Sequence, residues 1–466
     1  MQDFLHANHD DVLEAVERFE RMISTEKEVY FDVHQIESIF EFYIEKYLFE
    51  QADQILQIGL RQHPQASSLR VKQAGMLADQ GQLDAALSLL KQVAPIESTN
   101  TEVFITLGWI SLQQNEVSQA VEYFHKAVEM AFEDEQEVLL EIGYNLNQMD
   151  VFDESVPFLE RLILKNPNHE SALFELAFAL DRIGHRKRSI ATYQHLVDVN
   201  PFSENGWYNL GILYNKEERF VEALQAYEFT IALNPNHGEA FFNKGNSLAH
   251  AGEFAEALDA YLENVSLSRD VLTSYQYIAD CWEQLGNYDM AIRFYRLVTK
   301  EDPENGDAWY GMGTALMEKE DFTGGLQVID QAISINPIHA DYWFAHARGL
   351  FELEKVEDAC RSLENGLNID PEEVSGWIEL LKLKIVLEPT FDLAEFLKEI
   401  HEKYDDVAAI HYLSAVIHFK YFDDNEKAIQ EFKLAYDINT DGLNTISEDF
   451  PELIALPEVK NILNPE

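Results

Sequence analysis

The feature that most restricts the fold of this sequence is a pattern that returns every 34 residues. It is clearest in the stretch Glu204–His237, which reads as two short amphipathic helices separated by a polar break. Trp207, Leu210 and Tyr214 fall on one face of the first helix, because residues three, four and seven positions apart share a helical face. Pro235 ends the second helix, since proline has no amide hydrogen to donate.

The same pattern recurs along most of the chain. In consecutive units the large residue at the fourth position is Trp207, Phe241, Tyr275, Trp309 and Trp343. The small residue at the eighth position is Gly211, Gly245, Ala279, Gly313 and Ala347. Upstream the register continues, with one extra residue between the units around Leu107 and Leu139. A period of this length predicts a solenoid of helix pairs, in which each pair packs on its neighbours.

This pattern resembles the tetratricopeptide repeat, which places a large residue, Leu-Gly, aromatic residues, alanines and a closing proline over 34 residues. The resemblance implies an all-α, right-handed superhelical α-solenoid of about twelve helix-turn-helix repeats, with capping helices at both ends. We predict an N-terminal capping helix in residues 1–32 and about ten repeats in residues 33–373. Two degenerate repeats follow in 374–440, and a C-terminal capping segment in 441–466.

One unit departs from the pattern in a way that predicts altered packing. The unit that starts at Val374 has Leu381 where a small residue belongs. A large side chain at that position would hold the two helices of the pair apart. We therefore expect this unit to pack more loosely or at a shifted angle.

The charge balance is strongly acidic, with 84 aspartates and glutamates against 34 lysines and arginines and a net charge of −50. Such a field repels phosphate backbones and anionic lipids, so we expect no nucleic-acid or membrane binding. No apolar run approaches the roughly 20 residues that span a bilayer. Two interpretations stay open: a solvated outer face that keeps the protein dispersed, or a surface that attracts a basic partner.

The sequence shows no motif for catalysis, a cofactor or a metal ion. The zinc-protease, phosphate-loop and nucleophile-elbow patterns are all missing. His169, His237 and His339 recur only because each follows a closing proline by two residues, and they are at least one repeat apart. Cys281 and Cys360 are interpreted as buried apolar residues. We predict a non-catalytic protein without cofactor or metal.

The resemblance also implies a binding surface, because in the family the first helix of each unit lines a concave groove. Asn209 and Asn243 hold the same position in successive units, and an amide side chain can both donate to and accept from a peptide backbone. Neighbouring aromatic residues would contact apolar side chains of the ligand. Common repeat ancestry is the alternative explanation for these residue types. The candidate groove residues are Phe174, Tyr208, Asn209, Asn215, Lys216, Phe242, Asn243, Asn246, Tyr310, Phe344 and Arg348, with Asp280 and Thr314 on the same helical face.

These observations predict a protein-interaction scaffold or adaptor that binds a protein or peptide partner, possibly a basic one, in the groove. The first residues lack the apolar core of a signal peptide, so the cytoplasm is the expected location. Two alternatives stay open. One is an acidic holding chaperone for basic client proteins, and the other is a self-associating structural protein.

Overall fold

The computed structural model describes residues 2–25, 28–97, 99–132, 134–388 and 390–463, and for residues 2–11 it describes the backbone alone. Over these residues every regular element is a helix, so the predicted all-α class is confirmed. Residues 1, 26–27 and 464–466 of the predicted capping segments lie outside the described residues. The chain forms two compact units, one ending at Glu217 and the other beginning at Glu218.

The described part of the first unit contains twelve helices. They are α1 (Gln2–Thr25), α2 (Val33–Glu45), α3 (Phe49–Gln62), α4 (Ser67–Asp79), α5 (Leu83–Val93), α6 (Thr101–Gln113), α7 (Val117–Met130), α8 (Glu135–Gln148), α9 (Phe152–Lys165), α10 (Glu170–Arg182), α11 (Arg186–Val199) and α12 (Glu204–Lys216).

The described part of the second unit contains sixteen. They are α13 (Phe220–Leu233), α14 (Gly238–His250), α15 (Phe254–Leu267), α16 (Leu272–Gln284), α17 (Tyr288–Glu301), α18 (Gly306–Glu318), α19 (Phe322–Ile335), α20 (Ala340–Glu352), α21 (Val356–Ile369), α22 (Val374–Leu387), α23 (Leu393–Tyr404), α24 (Ala408–Lys420), α25 (Asn425–Ile438), α26 (Leu443–Asp449), α27 (Pro451–Ile454) and α28 (Pro457–Leu463).

Helices pack in chain order within each unit. Consecutive helices form pairs, and the first helices of neighbouring pairs also touch, as α4, α6, α8 and α10 do in the first unit and α16, α18 and α20 in the second. Each pair therefore contacts mainly the pairs before and after it, which is the arrangement of an α-solenoid. The limits drawn from the sequence for individual repeats and capping segments remain predictions.

A left-handed residue marks the turn inside each regular helix pair. These residues are Tyr47, Gly81, Asn115, Asp150 and Gly184 in the first unit, and Glu218, Gly252, Gly286, Glu320 and Glu354 in the second. A positive φ at this point ends the first helix and turns the chain back. They follow one another at 34 residues, except between Asn115 and Asp150, where the spacing is 35. The extra residue predicted from the sequence is confirmed at this place.

The small residue at the eighth position gives room to a large side chain of the second helix. A Cβ atom on Gly245 would lie 2.6 Å from the ring of Tyr261, and one on Gly313 would lie 2.5 Å from Ile329 Cγ1. Both distances are far below van der Waals contact, so a glycine lets the two helices of the pair approach closely.

A tryptophan at the fourth position binds the loop that precedes its helix. Its indole N–H donates to the carbonyl oxygen of the proline six residues earlier, at 2.9 Å in each case. The pairs are Trp207 with Pro201, Trp309 with Pro303, Trp343 with Pro337 and Trp377 with Pro371. This bond fixes the connection between one repeat and the next.

The unit with Leu381 packs differently from the regular ones. Its first helix, α22, contacts mainly α21 and α24, and α23 packs on α24. Leu381 is 2% exposed, in the apolar cluster that also contains Leu413 and Val416 of α24. Leu381 is therefore buried, and the contacts of α22 differ from those of the first helices of the regular pairs. The shifted angle and the looser packing expected from the sequence stay predictions.

Helices also cover the described ends of the chain. Phe19 of α1 packs edge-on against Tyr43 of α2, with ring centroids 5.8 Å apart. At the other end Ile446, Leu453 and Val459 are fully buried, and α28 packs on α25. The apolar faces of the outermost repeats are thereby removed from water.

Candidate partner-binding groove

The second unit contains a groove of about 710 Å³ lined mainly by α16, α18, α20 and α22. These are the first helices of four consecutive helix pairs. Three of the predicted groove residues, Tyr310, Phe344 and Arg348, lie in its wall together with Asp280 and Thr314. The structure thus brings this part of the predicted set together on one surface.

Acidic side chains dominate the lining. Six carboxylates face the groove, those of Asp280, Glu283, Asp307, Glu318, Asp341 and Glu379. Arg348 is the one lysine or arginine among the residues that the structure places in this wall, and its guanidinium lies 3.1 Å from Glu318. Since that ion pair uses the arginine, the remaining carboxylates give the groove a negative potential.

Tyr295 of α17 reaches into the floor between α16 and α18. Its hydroxyl lies 2.6 Å from Asp280 Oδ1 and 2.9 Å from Glu283 Oε2, so it can donate to either carboxylate. A Cβ on Gly311 of α18 would lie 2.4 Å from this ring. Only glycine at this position leaves enough space for the ring. Thr314 adds a hydroxyl 3.2 Å from Glu283 Oε1.

Three of the groove carboxylates are harder to ionise than a free carboxyl group. Burial raises the pKa of Asp280 to about 6, helped by the neighbouring charges of Glu283 and Asp307 and opposed by the hydrogen bond from Tyr295. Burial likewise raises the pKa of Glu283 and that of Glu379. Burying an ionised carboxylate without a cationic partner costs free energy. A bound positive charge would stabilise the ionised form and offset that cost.

Aromatic rings stand beside the carboxylates. Tyr310 stacks on Tyr342 with ring centroids 5.3 Å apart, and the Tyr342 hydroxyl donates to Asp307 Oδ1 at 2.6 Å. Tyr310 and Phe344 are both half-buried, so part of each ring faces the groove. Such rings can contact the alkyl part of a long side chain or the charge at its end.

The predicted residues of the first unit lie elsewhere. Phe174 lines a separate depression of about 370 Å³ with Glu170, Glu175 and Glu204, among others. On α12, Tyr208 and Asn215 are half-buried. Two further predicted side chains have partners within the unit: Lys216 pairs with Asp181 at 2.9 Å, and the Asn209 amide donates to the Asn205 carbonyl oxygen at 2.8 Å.

The predicted residues of α14 belong to the second unit but are not part of the acidic lining. Phe242 packs edge-on against Tyr277, with ring centroids 5.4 Å apart. Asn246 accepts a hydrogen bond from the Tyr261 hydroxyl at 2.7 Å, and Asn243 is half-buried on the same helix.

Sequence reasoning overlooked most of the acidic groove. It did not single out Glu283, Glu318 or Glu379, nor the tyrosine hydroxyl beneath them. One signal was available, because Asp307 and Asp341 are 34 residues apart and therefore hold the same position in successive repeats.

Two of the histidines that recur after the closing prolines have a structural role. His169 and His237 are N-cap residues, and the Nδ1 atom of each accepts a hydrogen bond from the backbone three residues later. They satisfy an amide that the first turn of a helix leaves without a partner.

Cys281 and Cys360 are buried and unpaired, as predicted.

Comparison with known families agrees with this architecture. Three models described as tetratricopeptide repeat match residues 77–139, 205–237 and 272–305. This chain is a tetratricopeptide repeat protein. Repeats of this family generally mediate protein or peptide binding, so the chain has the architecture of an interaction scaffold.

Within the described residues, no helix combines the length and the apolar character that a membrane crossing requires.

Solved tetratricopeptide structures resemble parts of the chain. A repeat protein from Parabacteroides merdae is 16% identical, covers 54% of this chain and 98% of its own, and has a TM-score of 0.41. YrrB, described as having an unusual peptide-binding site, is 16% identical over 41% of this chain and 97% of its own, with a TM-score of 0.36. MamA is 21% identical over 37% of this chain and 95% of its own, with a TM-score of 0.36. No curated protein gives a significant match.

Proposed function

We propose that this protein is a non-catalytic scaffold whose acidic groove in the second unit binds a basic segment of a protein partner. The observation that supports this proposal is the excess of carboxylates over cations in the groove wall, where Asp280 and Glu283 are half-buried. Burial penalises the ionised form of Asp280 and Glu283, and a lysine or arginine from a partner would stabilise it.

The groove chemistry also suggests how a basic side chain would be held. Asp280 and Glu283 share the Tyr295 hydroxyl at the floor, so their remaining oxygens can accept from an ammonium or guanidinium group. Tyr310 and Phe344 offer ring surface for the alkyl chain that carries this group. The partner segment would therefore combine basic residues with long aliphatic stems.

Fluorescence anisotropy with a labelled lysine- and arginine-rich peptide tests the proposal. Removing two groove charges with Glu283→Gln/Asp341→Asn should weaken binding about 10-fold or more, since bonds to charged groups contribute roughly 1.5–3 kcal/mol each. The matched control is Glu256→Gln/Asp259→Asn on α15, which removes the same charge from exposed positions. Equal losses in both variants would contradict binding in the groove.

The acidic surface as a whole supports a second candidate, a holding chaperone for basic clients. In that case the net charge of −50 attracts the client through many weak contacts. Exposed charges are screened within about 8 Å at physiological ionic strength, so this binding should collapse as salt is added. The groove variant and the control would then lose affinity alike.

The residues predicted on α12 and α14 remain proposed contacts. If they bind a peptide backbone, Asn209→Ala and Asn243→Ala should each weaken capture while the melting temperature stays within about 2 °C. Tyr310→Ala is the comparison within the acidic groove. A loss confined to Tyr310→Ala would assign the contact to the groove alone.

The two cysteines are unpaired and buried, which is consistent with a reducing compartment. We propose that the interaction takes place in the cytoplasm, which is the location expected from the sequence.

A further inference from the structure

The irregular helix pair α23 and α24 brings together three side chains of types that bind metal ions. His401 lies in the last turn of α23, Asp405 follows that helix directly, and His411 lies in the first turn of α24. Each offers one ligand atom, and the three atoms lie within 4.8 Å of one another. None of the three lines the acidic groove.

The outer nitrogen of each imidazole has a partner of its own. His401 Nε2 lies 2.7 Å from Ser414 Oγ, and His411 Nδ1 lies 2.6 Å from Glu431 Oε2. In the tautomers in which these outer nitrogens donate, a lone pair remains on His401 Nδ1 and on His411 Nε2. A carboxylate behind a histidine is the usual arrangement that fixes the tautomer of a metal ligand.

In one tautomer of each imidazole, the inner atoms face one another as acceptors around a point where a cation could bind. With the outer nitrogens protonated, the His401 Nδ1 lone pair faces Asp405 Oδ1 at 3.0 Å. The His411 Nε2 lone pair faces the backbone carbonyl oxygen of Asp405 at 2.9 Å. All four atoms are then acceptors, and His411 is only 7% exposed. A cation at this point would convert repulsion into attraction.

The distances suit a small tetrahedral ion. Bonds of 2.0–2.2 Å to zinc place neighbouring ligand atoms about 3.4 Å apart. The separation between His401 Nδ1 and Asp405 Oδ1 is close to this value, and the exposed Asp405 side chain can move to adjust the others. Two imidazoles and one carboxylate favour zinc and similar transition metals over calcium or magnesium.

We propose that His401, Asp405 and His411 form a binding site for a divalent transition metal ion of the zinc class, with its fourth position open to water. Glu431 and Ser414 act as positioning residues behind the two imidazoles. The ion would join the end of α23 to the start of α24, in a helix pair where the packing of the regular repeats is altered.

Isothermal titration of chelator-treated full-length protein with Zn²⁺ tests this site. The wild type should bind one ion per chain at the high-affinity step. His401→Gln and Asp405→Asn should each weaken that step at least 10-fold, and His185→Ala, which removes an exposed histidine of the first unit, should leave it unchanged. Glu431→Gln should weaken it about 10- to 100-fold, because it removes only the partner of a ligand.

A thermal melt in the presence and absence of Zn²⁺ separates metal binding from misfolding. Zinc should raise the melting temperature of the wild type and of His185→Ala, but not that of His401→Gln. Comparable helical circular dichroism for all variants establishes that each is folded. The proposal is overturned if the wild type binds no zinc, if His401→Gln and Asp405→Asn bind it as well as the wild type, if His185→Ala loses as much affinity, or if magnesium competes equally.

Discussion

The regular repeats of the second unit and the helices that follow them use one sequence position in opposite ways. In α14 and α18 the eighth position is Gly245 or Gly313, and a side chain of the paired helix fills the space beside it. In α22 the same position is Leu381, which is buried in a cluster with residues of α24. A small residue brings the next helix in the chain close, whereas α22, which carries the large residue, contacts mainly α21 and α24.

This difference also separates two kinds of polar surface. The regular repeats align first helices with one another, and the acidic groove is built from that alignment. The altered pair places a helix end and a helix start side by side, and it is there that His401, Asp405 and His411 meet. The regular repeats thus form an extended groove, whereas the altered pair forms a local cluster of three side chains.

The largest effect should come from Leu381→Ala. Truncating a buried leucine removes its packing in this cluster and leaves a cavity, at a cost of roughly 2–5 kcal/mol. Chemical denaturation followed by circular dichroism should show the second unit unfolding at a lower denaturant concentration. If Leu381→Ala were neutral or stabilising, Leu381 would not be what holds α22 against α24.

The acidic groove predicts a pH-dependent effect of Asp280→Asn. The folded pKa of Asp280, about 6, lies above the value near 4 of an unfolded aspartate. The folded state therefore binds the proton more tightly, and ionisation lowers stability as the pH rises through this window. Asparagine removes that penalty and keeps an acceptor for Tyr295, so it should stabilise the protein by at most about 3 kcal/mol above pH 6.

Below pH 4 the wild type and Asp280→Asn should have equal stability, because the carboxyl is then protonated in both folded and unfolded states. Melting curves from pH 3 to pH 8 measure the difference, and the exposed Asp259→Asn on α15 is the matched control. A difference that is constant over this range would show that Asp280 is not the titrating group.

Gly245→Ala tests the close packing of a regular helix pair. The new methyl group would lie 2.6 Å from the Tyr261 ring, and moving that buried ring should cost about 1–3 kcal/mol. Gly75→Ala is the matched control, because a Cβ on this helical glycine of α4 meets nothing within 4 Å. There alanine should stabilise the helix by about 0.5–1 kcal/mol. Opposite signs in the two melts would establish close packing, and not helix propensity, as the reason for the glycine.

Much of the fold could be predicted because the repeat fixes both its period and its packing. The tryptophans and prolines were each recognised from the sequence, and so was the extra residue before Leu139. The hydrogen bond between Trp309 and Pro303 could not be foreseen, because it depends on the rotamer of the indole and the path of the loop.

The two polar sites were harder to predict for different physical reasons. Glu283 and Glu379 come from helices about three repeats apart, and their meeting depends on how far each first helix is rotated in the stack. His401 and His411 lie in a pair that has lost the regular spacing, so a repeat-based alignment gives them no common position. Their proximity follows from the turn between α23 and α24, which no repeated sequence position specifies.

The smallest expected change in stability concerns the left-handed position in the turn of each regular pair. Glu320 adopts a φ of 64° at the position where Gly252 and Gly286 stand in the two preceding turns. A residue with a Cβ pays roughly 1–2 kcal/mol in this conformation, while glycine loses about 0.5–1 kcal/mol of extra chain entropy on folding. Glu320→Gly should therefore stabilise the second unit by only about 0.5–1 kcal/mol, and Gly286→Ala should destabilise it by a similar amount. If both substitutions shifted the denaturation midpoint in the same direction, backbone strain would not determine the choice of residue at this turn.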